Sequence, residues 1–128
     1  MDNEKKRILI VEDEFIVAAD IRMTLQRLNY NVTSSIDNGA DAIRITELEK
    51  PDLVLMDITL KGNLDGIETA KIIMSRFKIP IIYLSALNDE QTIYKALSTK
   101  PFGYLIKPFA PIELHAAIES VFVKLQVF

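Results

Sequence analysis

The chain has 128 residues, of which 49% are hydrophobic and 26% charged, and its formal net charge at pH 7 is −3. This length fits one ordinary domain with a sizeable core, and the mixed charges lack the basic face of a nucleic-acid module. The absence of cysteine excludes disulfides and thiolate metal sites. No apolar stretch approaches the ~20 residues of a membrane span. We therefore expect a cytoplasmic protein that contacts neither nucleic acid nor membrane.

Five short apolar runs predict β-strands, and the segments between them have helical spacing. The runs are, in chain order, Arg7–Val11, Asn31–Ile36, Leu53–Met56, Ile79–Leu84 and Gly103–Ile106. Three of them are nearly continuous in Ile, Val and Leu, which is typical of strands buried on both faces of a parallel sheet. We expect residues 1–128 to form a single domain, with its core at about 7–125, in which βα units build a doubly wound sheet.

The segments between these runs carry helix signals of their own. Asp65 and Glu68 have the spacing of a capping box before the third helix, and Asn88 with Gln91 repeats that spacing before the fourth. The last helix is predicted over about Pro111–Leu125, because proline suits the first helical turn. The spacing also predicts the apolar face of the first helix, which comprises Ile16, Ala19, Met23 and Leu28.

Polar residues directly follow four of the predicted strands. Glu12 and Asp13 follow the first, Asp57 the third, Ser85 the fourth and Lys107 the fifth. Each alone has an ordinary explanation, such as a helix start, a turn or a solvated surface charge. In open α/β sheets, however, ligands bind beyond the carboxyl ends of the strands. Together these side chains predict a functional site at that edge of the sheet.

The chemistry of these side chains favours phosphoryl transfer. Three clustered carboxylates repel one another unless a cation is present, and a ligand set made only of oxygens suits Mg²⁺. An ionised carboxylate can attack phosphorus to form an acyl phosphate. A lysine and a hydroxyl can then hold the remaining phosphoryl oxygens, since this reaction needs mostly positioning and charge neutralisation.

Five stretches, "ILIVEDE", "LVLMDITL", "DGIE", "IIYLSA" and "GYLIKPF", resemble the receiver domains of two-component response regulators. The resemblance extends from about Arg7 to Leu125, nearly the whole chain. It implies a flavodoxin-like α/β fold with a five-stranded parallel sheet in the order 2-1-3-4-5 and five helices. It also implies a phosphoacceptor domain of a response regulator or hybrid kinase, which acts on no external substrate and is not an enzyme in that sense.

The resemblance assigns a role to each residue at the predicted edge. Asp57 would accept the phosphoryl group from a phosphohistidine on a sensor histidine kinase or a phosphotransfer protein. Asp13 and Asp57 would bind Mg²⁺ directly, Glu12 would act through a water molecule, and the backbone carbonyl of Thr59 would be a further ligand.

Ser85 and Lys107 would hold the phosphoryl oxygens. Tyr104 matches the switch aromatic that turns inward after phosphorylation, and the Lys107–Pro108 peptide bond is typically cis in this family. In the family, the positions of Thr59 and Leu87 influence hydrolysis of the acyl phosphate. Because Leu87 has no group to orient an attacking water, we expect a phosphorylated state of moderate to long life.

The chain departs from the family pattern in two regions. Lys61 stands where many receivers have a proline, in a loop that is one residue longer than the commonest form. The entry to the fifth strand also differs, and Pro101 and Gly103 are expected to shorten or loosen the end of the fourth helix.

The last helix carries two further features. His115 is the single histidine, and a surface or groove position is expected for it, away from the site. Ala116, Val123 and Val127 form a second apolar stripe on the helix, which one packed face does not require. This stripe predicts a surface for a dimer partner or an output domain.

Three other functions compete with the phosphorylatable receiver. An aspartyl-phosphate phosphatase resembling the haloacid dehalogenase family would carry Asp-x-Asp, but Thr59 replaces the second Asp. A flavodoxin-like cofactor binder needs a phosphate-cradling loop after the first strand, where this chain has Glu12 and Asp13. A pseudo-receiver that signals without phosphate would not need the complete set of acids, hydroxyl and lysine.

Overall fold

The computed structural model describes residues 5–86 and 89–126, which form five strands and five helices. The strands are β1 (Arg7–Val11), β2 (Asn31–Ile36), β3 (Leu53–Asp57), β4 (Ile81–Ser85) and β5 (Gly103–Ile106). The helices are α1 (Phe15–Arg27), α2 (Gly39–Glu49), α3 (Gly66–Phe77), α4 (Glu90–Leu97) and α5 (Pro111–Leu125). All strand pairs are parallel and the sheet order is β2-β1-β3-β4-β5. The predicted fold class is therefore confirmed.

The sheet separates two layers of apolar side chains. Alternate residues of the central strands, such as Ile8 and Leu9 of β1, point to opposite faces of the sheet and are both fully buried. Helices α1 and α5 cover the face of Ile8, whereas α2, α3 and α4 cover the face of Leu9. Among the described helices, none combines the length and the apolar character needed to cross a membrane.

The prediction for the apolar face of α1 was wrong for Ile16, Ala19 and Met23, which are exposed, whereas Leu28 packs against the core. The helix buries Ala18, Ile21 and Leu25, while the side chains of Ile16 and Met23 are 80% and 49% exposed. Both sets have helical spacing, so α1 carries apolar residues in two adjacent registers. The packing of the first turn against the sheet selects one of them, and spacing along the sequence does not contain that information.

Several predicted boundaries also move. Strands β3 and β4 end one residue later than predicted, at Asp57 and Ser85. Strand β4 begins at Ile81 rather than Ile79, because Pro80 has no N–H to donate to the ladder. The N-cap of α4 is Asp89, whose side chain accepts a hydrogen bond from the Gln91 N–H, whereas the predicted cap Asn88 lies outside the described residues.

The capping box of α3 and the bounds of α5 are as predicted. The Asp65 side chain accepts from the Glu68 N–H at 2.8 Å, and the Glu68 side chain accepts from the Asp65 N–H at 3.0 Å. In α5, Leu114, Ile118 and Val121 are buried against the sheet.

The start of α3 lies directly against the end of β3. A Cβ atom added at Gly66 would lie 1.9 Å from the carbonyl oxygen of Asp57 and 2.6 Å from the Cα of Ile58. Both neighbours are backbone atoms, which have little freedom to move aside. Only glycine therefore allows the helix to approach the strand end at this distance.

We expect Gly66→Ala to lower the free energy of unfolding by about 3 kcal/mol, because the methyl group overpacks a rigid backbone contact. Urea unfolding followed by circular dichroism measures this change. Gly103→Ala is the matched control, since its added Cβ would meet a side-chain atom, Cγ1 of Ile82 at 3.1 Å, rather than backbone atoms. An equal loss in both variants would contradict the prediction.

Candidate functional site

The carboxyl ends of four strands bring the predicted residues to one edge of the sheet. Asp57 is the last residue of β3 and Ser85 the last of β4. Glu12 and Asp13 follow β1 directly, and Lys107 follows β5, where its N–H donates to the Ser85 carbonyl at 2.7 Å. This arrangement follows from the parallel sheet, because all strands end on the same side.

Three acids converge at this edge. Carboxylate oxygens of Glu12, Asp13 and Asp57 lie within 4.8 Å of one another. Glu12 and Asp57 are almost fully buried, each 2% exposed, and Asp13 is half-buried. A group of hard oxygen donors with several negative charges fits a divalent cation such as Mg²⁺, whose charge would offset their repulsion.

Lys107 supplies the positive charge beside these acids. Its Nζ donates to Glu12 Oε1 at 2.9 Å and lies 3.7 Å from Asp57 Oδ2. The Lys107–Pro108 peptide bond is cis, as the resemblance implies. The lysine therefore forms its shorter contact with Glu12 and its longer one with the predicted phosphoacceptor.

Burial and mutual charge shift the pKa values of this pair. Burial raises the pKa of Glu12, and the neighbouring Asp57 raises it further against the opposing effect of Lys107. Burial by itself would lower the pKa of Lys107, but the hydrogen bond to Glu12 and the charge of Asp57 outweigh it, so this pKa is raised. Lys107 is thus cationic at neutral pH.

Two residues of the loop after β3, Thr59 and Lys61, hold the carboxylates by hydrogen bonds. Asp57 Oδ1 accepts hydrogen bonds from the N–H and from the hydroxyl of Thr59, at 3.0 and 2.9 Å. Asp13 Oδ2 accepts from the N–H of Lys61 at 3.1 Å. The sequence prediction gave Thr59 a carbonyl ligand and an influence on hydrolysis but no hydrogen bond to Asp57, and it treated Lys61 as a departure. A proline at position 61 would lack this donor.

Ser85 and Tyr104 lie on the two strands beyond Asp57. Ser85 is fully buried. Tyr104 pairs in register with Tyr83, and their rings make an edge-to-face contact with centroids 6.4 Å apart. Among the described residues, no group accepts or donates a hydrogen bond to the buried Tyr104 hydroxyl. An unpaired buried hydroxyl costs about 1–3 kcal/mol.

The remaining predicted residues lie elsewhere or outside the description. His115 is half-exposed on α5, with its Nε2 3.9 Å from Glu119 and its ring against Tyr30. Ala116 and Val123 of the second apolar stripe are exposed, as that prediction requires.

Leu87 and Val127 lie outside the described residues, so their predicted parts in hydrolysis and in the stripe stay predictions. The individual roles assigned to the residues at the edge of the sheet also stay predictions. The structure brings these residues together, but their proximity does not test what each of them does.

Comparison with known proteins gives the same family from sequence and from structure. A model of the response regulator receiver domain matches residues 8–119. The transcriptional regulatory protein PdtaR of Mycobacterium tuberculosis is 35% identical over 114 residues, which cover 89% of this chain and 55% of that protein. The alkaline phosphatase synthesis transcriptional regulatory protein PhoP of Bacillus subtilis is 34% identical over 117 residues, covering 91% and 48%. The chain spans about half the length of these curated relatives.

Among solved structures, the signal receiver domain of a modulated diguanylate cyclase from Desulfovibrio desulfuricans superposes with a TM-score of 0.90 at 40% identity, covering 94% of this chain and 96% of that one. The N-terminal domain of a response regulator/sensory box/GGDEF protein from Carboxydothermus hydrogenoformans gives a TM-score of 0.81 at 30% identity, covering 94% and 97%. The chain therefore belongs to the family of response regulator receiver domains of two-component systems.

Proposed function

We propose that Asp57 accepts a phosphoryl group from a phosphohistidine on a sensor histidine kinase or a phosphotransfer protein. The observation that carries this proposal is the placement of Asp57, nearly buried at the end of β3, beside two further acids and the ammonium group of Lys107. A carboxylate in these surroundings is oriented for attack, and its neighbours match the charges of the reaction.

In this reaction an oxygen of Asp57 forms the new P–O bond while the P–N bond of the donor breaks and its electron pair stays on the imidazole. Oδ1 is occupied by the two hydrogen bonds from Thr59, whereas Oδ2 faces Lys107. Lys107 and Ser85 would then hold the oxygens of the transferred group, each as a donor of hydrogen bonds.

Mg²⁺ would be held directly by Asp13, Asp57 and the carbonyl of Thr59, with Glu12 acting through water. When bound, the ion supplies positive charge that offsets the phosphoryl oxygens and the acids around them. The N–H of Lys61 supports this arrangement because it fixes the side chain of Asp13 from the loop after β3.

We further propose that phosphorylation changes the position of Tyr104 and thereby an output. The domain would act in the cytoplasm as a switch that assists its own phosphorylation and turns over no external substrate. The exposed side of α5 with Ala116 and Val123 would receive an output domain or a dimer partner. No contact of this domain with nucleic acid or membrane is proposed.

Incubation with acetyl phosphate and Mg²⁺ should give one phosphoryl adduct in the intact mass of the wild type. Asp57→Asn should give none, because the amide is not a nucleophile for phosphorus, and EDTA should abolish the adduct of the wild type. Asp20→Asn is the matched control, since Asp20 is an exposed acid on α1 and its variant should react as the wild type does.

A folded wild type that forms no adduct would favour the pseudo-receiver. An adduct that survives Asp57→Asn would place the acceptor elsewhere. The decay of the adduct after removal of the phosphodonor tests the expected moderate to long life of the phosphorylated state.

Mg²⁺ should stabilise Lys107→Met more than it stabilises the wild type. Removal of the lysine leaves Glu12 and Asp57 without their cation, and a dication then replaces the missing charge. We expect a Kd for Mg²⁺ that is about tenfold lower, which corresponds to ~1.4 kcal/mol of additional stabilisation when Mg²⁺ is in excess. Urea unfolding at several Mg²⁺ concentrations measures this difference.

Lys71→Met, which removes an exposed lysine of α3, should respond to Mg²⁺ as the wild type does. A Lys107→Met variant that Mg²⁺ stabilises less than the wild type would contradict the proposed competition between lysine and dication.

A further inference from the structure

One oxygen of the Asp57 carboxylate is already saturated with hydrogen bonds. Oδ1 accepts the Thr59 N–H at 3.0 Å and the Thr59 hydroxyl at 2.9 Å, and a carboxylate oxygen has two lone pairs for such contacts. The other oxygen, Oδ2, lies 3.7 Å from the ammonium group of Lys107. A cation that binds Asp57 therefore either shares Oδ2 with this ammonium group or replaces a donor on Oδ1.

The charge of Lys107 and the proposed reaction both leave Oδ1 to the ion. A dication at Oδ2 would meet the like charge of Lys107, and on that side the lysine would hold the oxygens of the transferred group. The oxygen that forms the P–O bond also loses negative charge, so the opposite oxygen is the better ligand for a hard cation. Oδ1 is therefore the oxygen that a divalent cation would use.

The two donors on Oδ1 differ in their freedom to move. The backbone at Thr59 is fixed, because the flanking residues Ile58 and Leu60 are 3% and 4% exposed and the Ile58 N–H donates to the Leu84 carbonyl at 3.1 Å. Thr59 itself is exposed, so rotation about its Cα–Cβ bond would turn the hydroxyl into water. Of the two donors, the hydroxyl is therefore the one that can leave.

We propose that the Thr59 hydroxyl blocks the metal-binding oxygen of Asp57 in the resting state and rotates away when a divalent cation binds. Thr59 is thereby a positioning residue that sets how much Mg²⁺ the site requires. This role rests on the proposed function, in which Asp57 and the Thr59 carbonyl hold Mg²⁺, and it adds the side chain of the same residue. It concerns the unphosphorylated state, so it differs from an influence of this position on hydrolysis.

The hydroxyl opposes the binding of Mg²⁺ because its hydrogen bond to Oδ1 exists only in the ion-free state. A contact that stabilises one state of an equilibrium shifts the population toward that state. A hydrogen bond to a charged group is strong enough to change a Kd by about tenfold. Removal of the hydroxyl should therefore increase the affinity of the site for Mg²⁺.

Titration of the full chain with Mg²⁺, followed by the amide signals of the site in NMR spectra, tests this role. Thr59→Val keeps the branched shape and removes the hydroxyl, so its Kd for Mg²⁺ should be about tenfold lower than that of the wild type. Thr59→Ala removes the hydroxyl without a methyl group in its place and should change the Kd in the same direction. Thr59→Ser keeps the hydroxyl and should restore the Kd of the wild type.

Thr92→Val is the matched control. The Thr92 hydroxyl also donates to a carboxylate at 2.9 Å, that of Asp89 at the start of α4, but neither residue belongs to the candidate site. Loss of this bond should leave the Kd for Mg²⁺ unchanged.

The rotation of the hydroxyl has a direct readout in the wild type. Three-bond couplings from the threonine methyl carbon to the backbone nitrogen and carbonyl carbon report the rotamer about the Cα–Cβ bond. The Thr59 methyl signal is assigned through Thr59→Ser, which lacks that methyl group. Saturating Mg²⁺ should change the couplings of Thr59 to those of another rotamer and leave those of Thr92 as they were.

An unchanged or higher Kd in folded Thr59→Val and Thr59→Ala would overturn the role of Thr59, as would couplings that keep the same rotamer at saturating Mg²⁺. The intact mass after treatment with acetyl phosphate is measured on the same samples. A wild type that binds Mg²⁺ but forms no adduct would refute the proposed phosphotransfer, while the Kd values and couplings would still decide on Thr59.

Discussion

The site depends on the balance of charge between two buried carboxylates and one lysine. Glu12 and Asp57 are almost inaccessible to water, and a buried charge is tolerated only when a partner compensates it. Lys107 is that partner, at 2.9 Å from one acid and 3.7 Å from the other. Asp57 ends β3, while Glu12 and Lys107 directly follow β1 and β5, so the balance exists only when the sheet has assembled in its order. The fold therefore determines the charge state of the site.

One lysine does not neutralise the acids that surround it, because Asp13 adds a third carboxylate. This excess of negative charge favours a bound dication, yet it would repel a phosphoryl group by itself. The proposed reaction needs both properties, since the acids recruit the ion and the ion together with Lys107 receives the phosphoryl oxygens. The shorter contact of Lys107 with Glu12 fits a resting state in which the lysine is held close to Asp57 without blocking it.

The sequence was sufficient to predict the strands and the residues at their ends, because continuous apolar runs mark buried strands and the next polar residue lies at the edge. It was insufficient where two packing arrangements fit the same apolar pattern. In α1, both the face with Ile16 and the face with Ala18 have helical spacing. The hydrogen bonds from Thr59 and Lys61 were also missed. These hydrogen bonds depend on the backbone conformation of the loop after β3. The residue types threonine and lysine do not indicate that conformation.

Strand β4 contains both Ser85 of the candidate site and Tyr83, which contacts Tyr104 and the end of α4. Ser85 lies at the end of the strand beside the site, and Tyr83 lies two residues earlier on the same face, where it contacts both Tyr104 and Thr99. A strand buried in the centre of a sheet transmits a displacement along its length because close packing leaves little room for independent movement. Helix α4 buries a single residue, fewer than any other helix of the described fold, so its packing offers less resistance to such a displacement than theirs. Strand β4 and the hydroxyls of Tyr83 and Thr99 thus connect the edge that carries Ser85 with the end of α4.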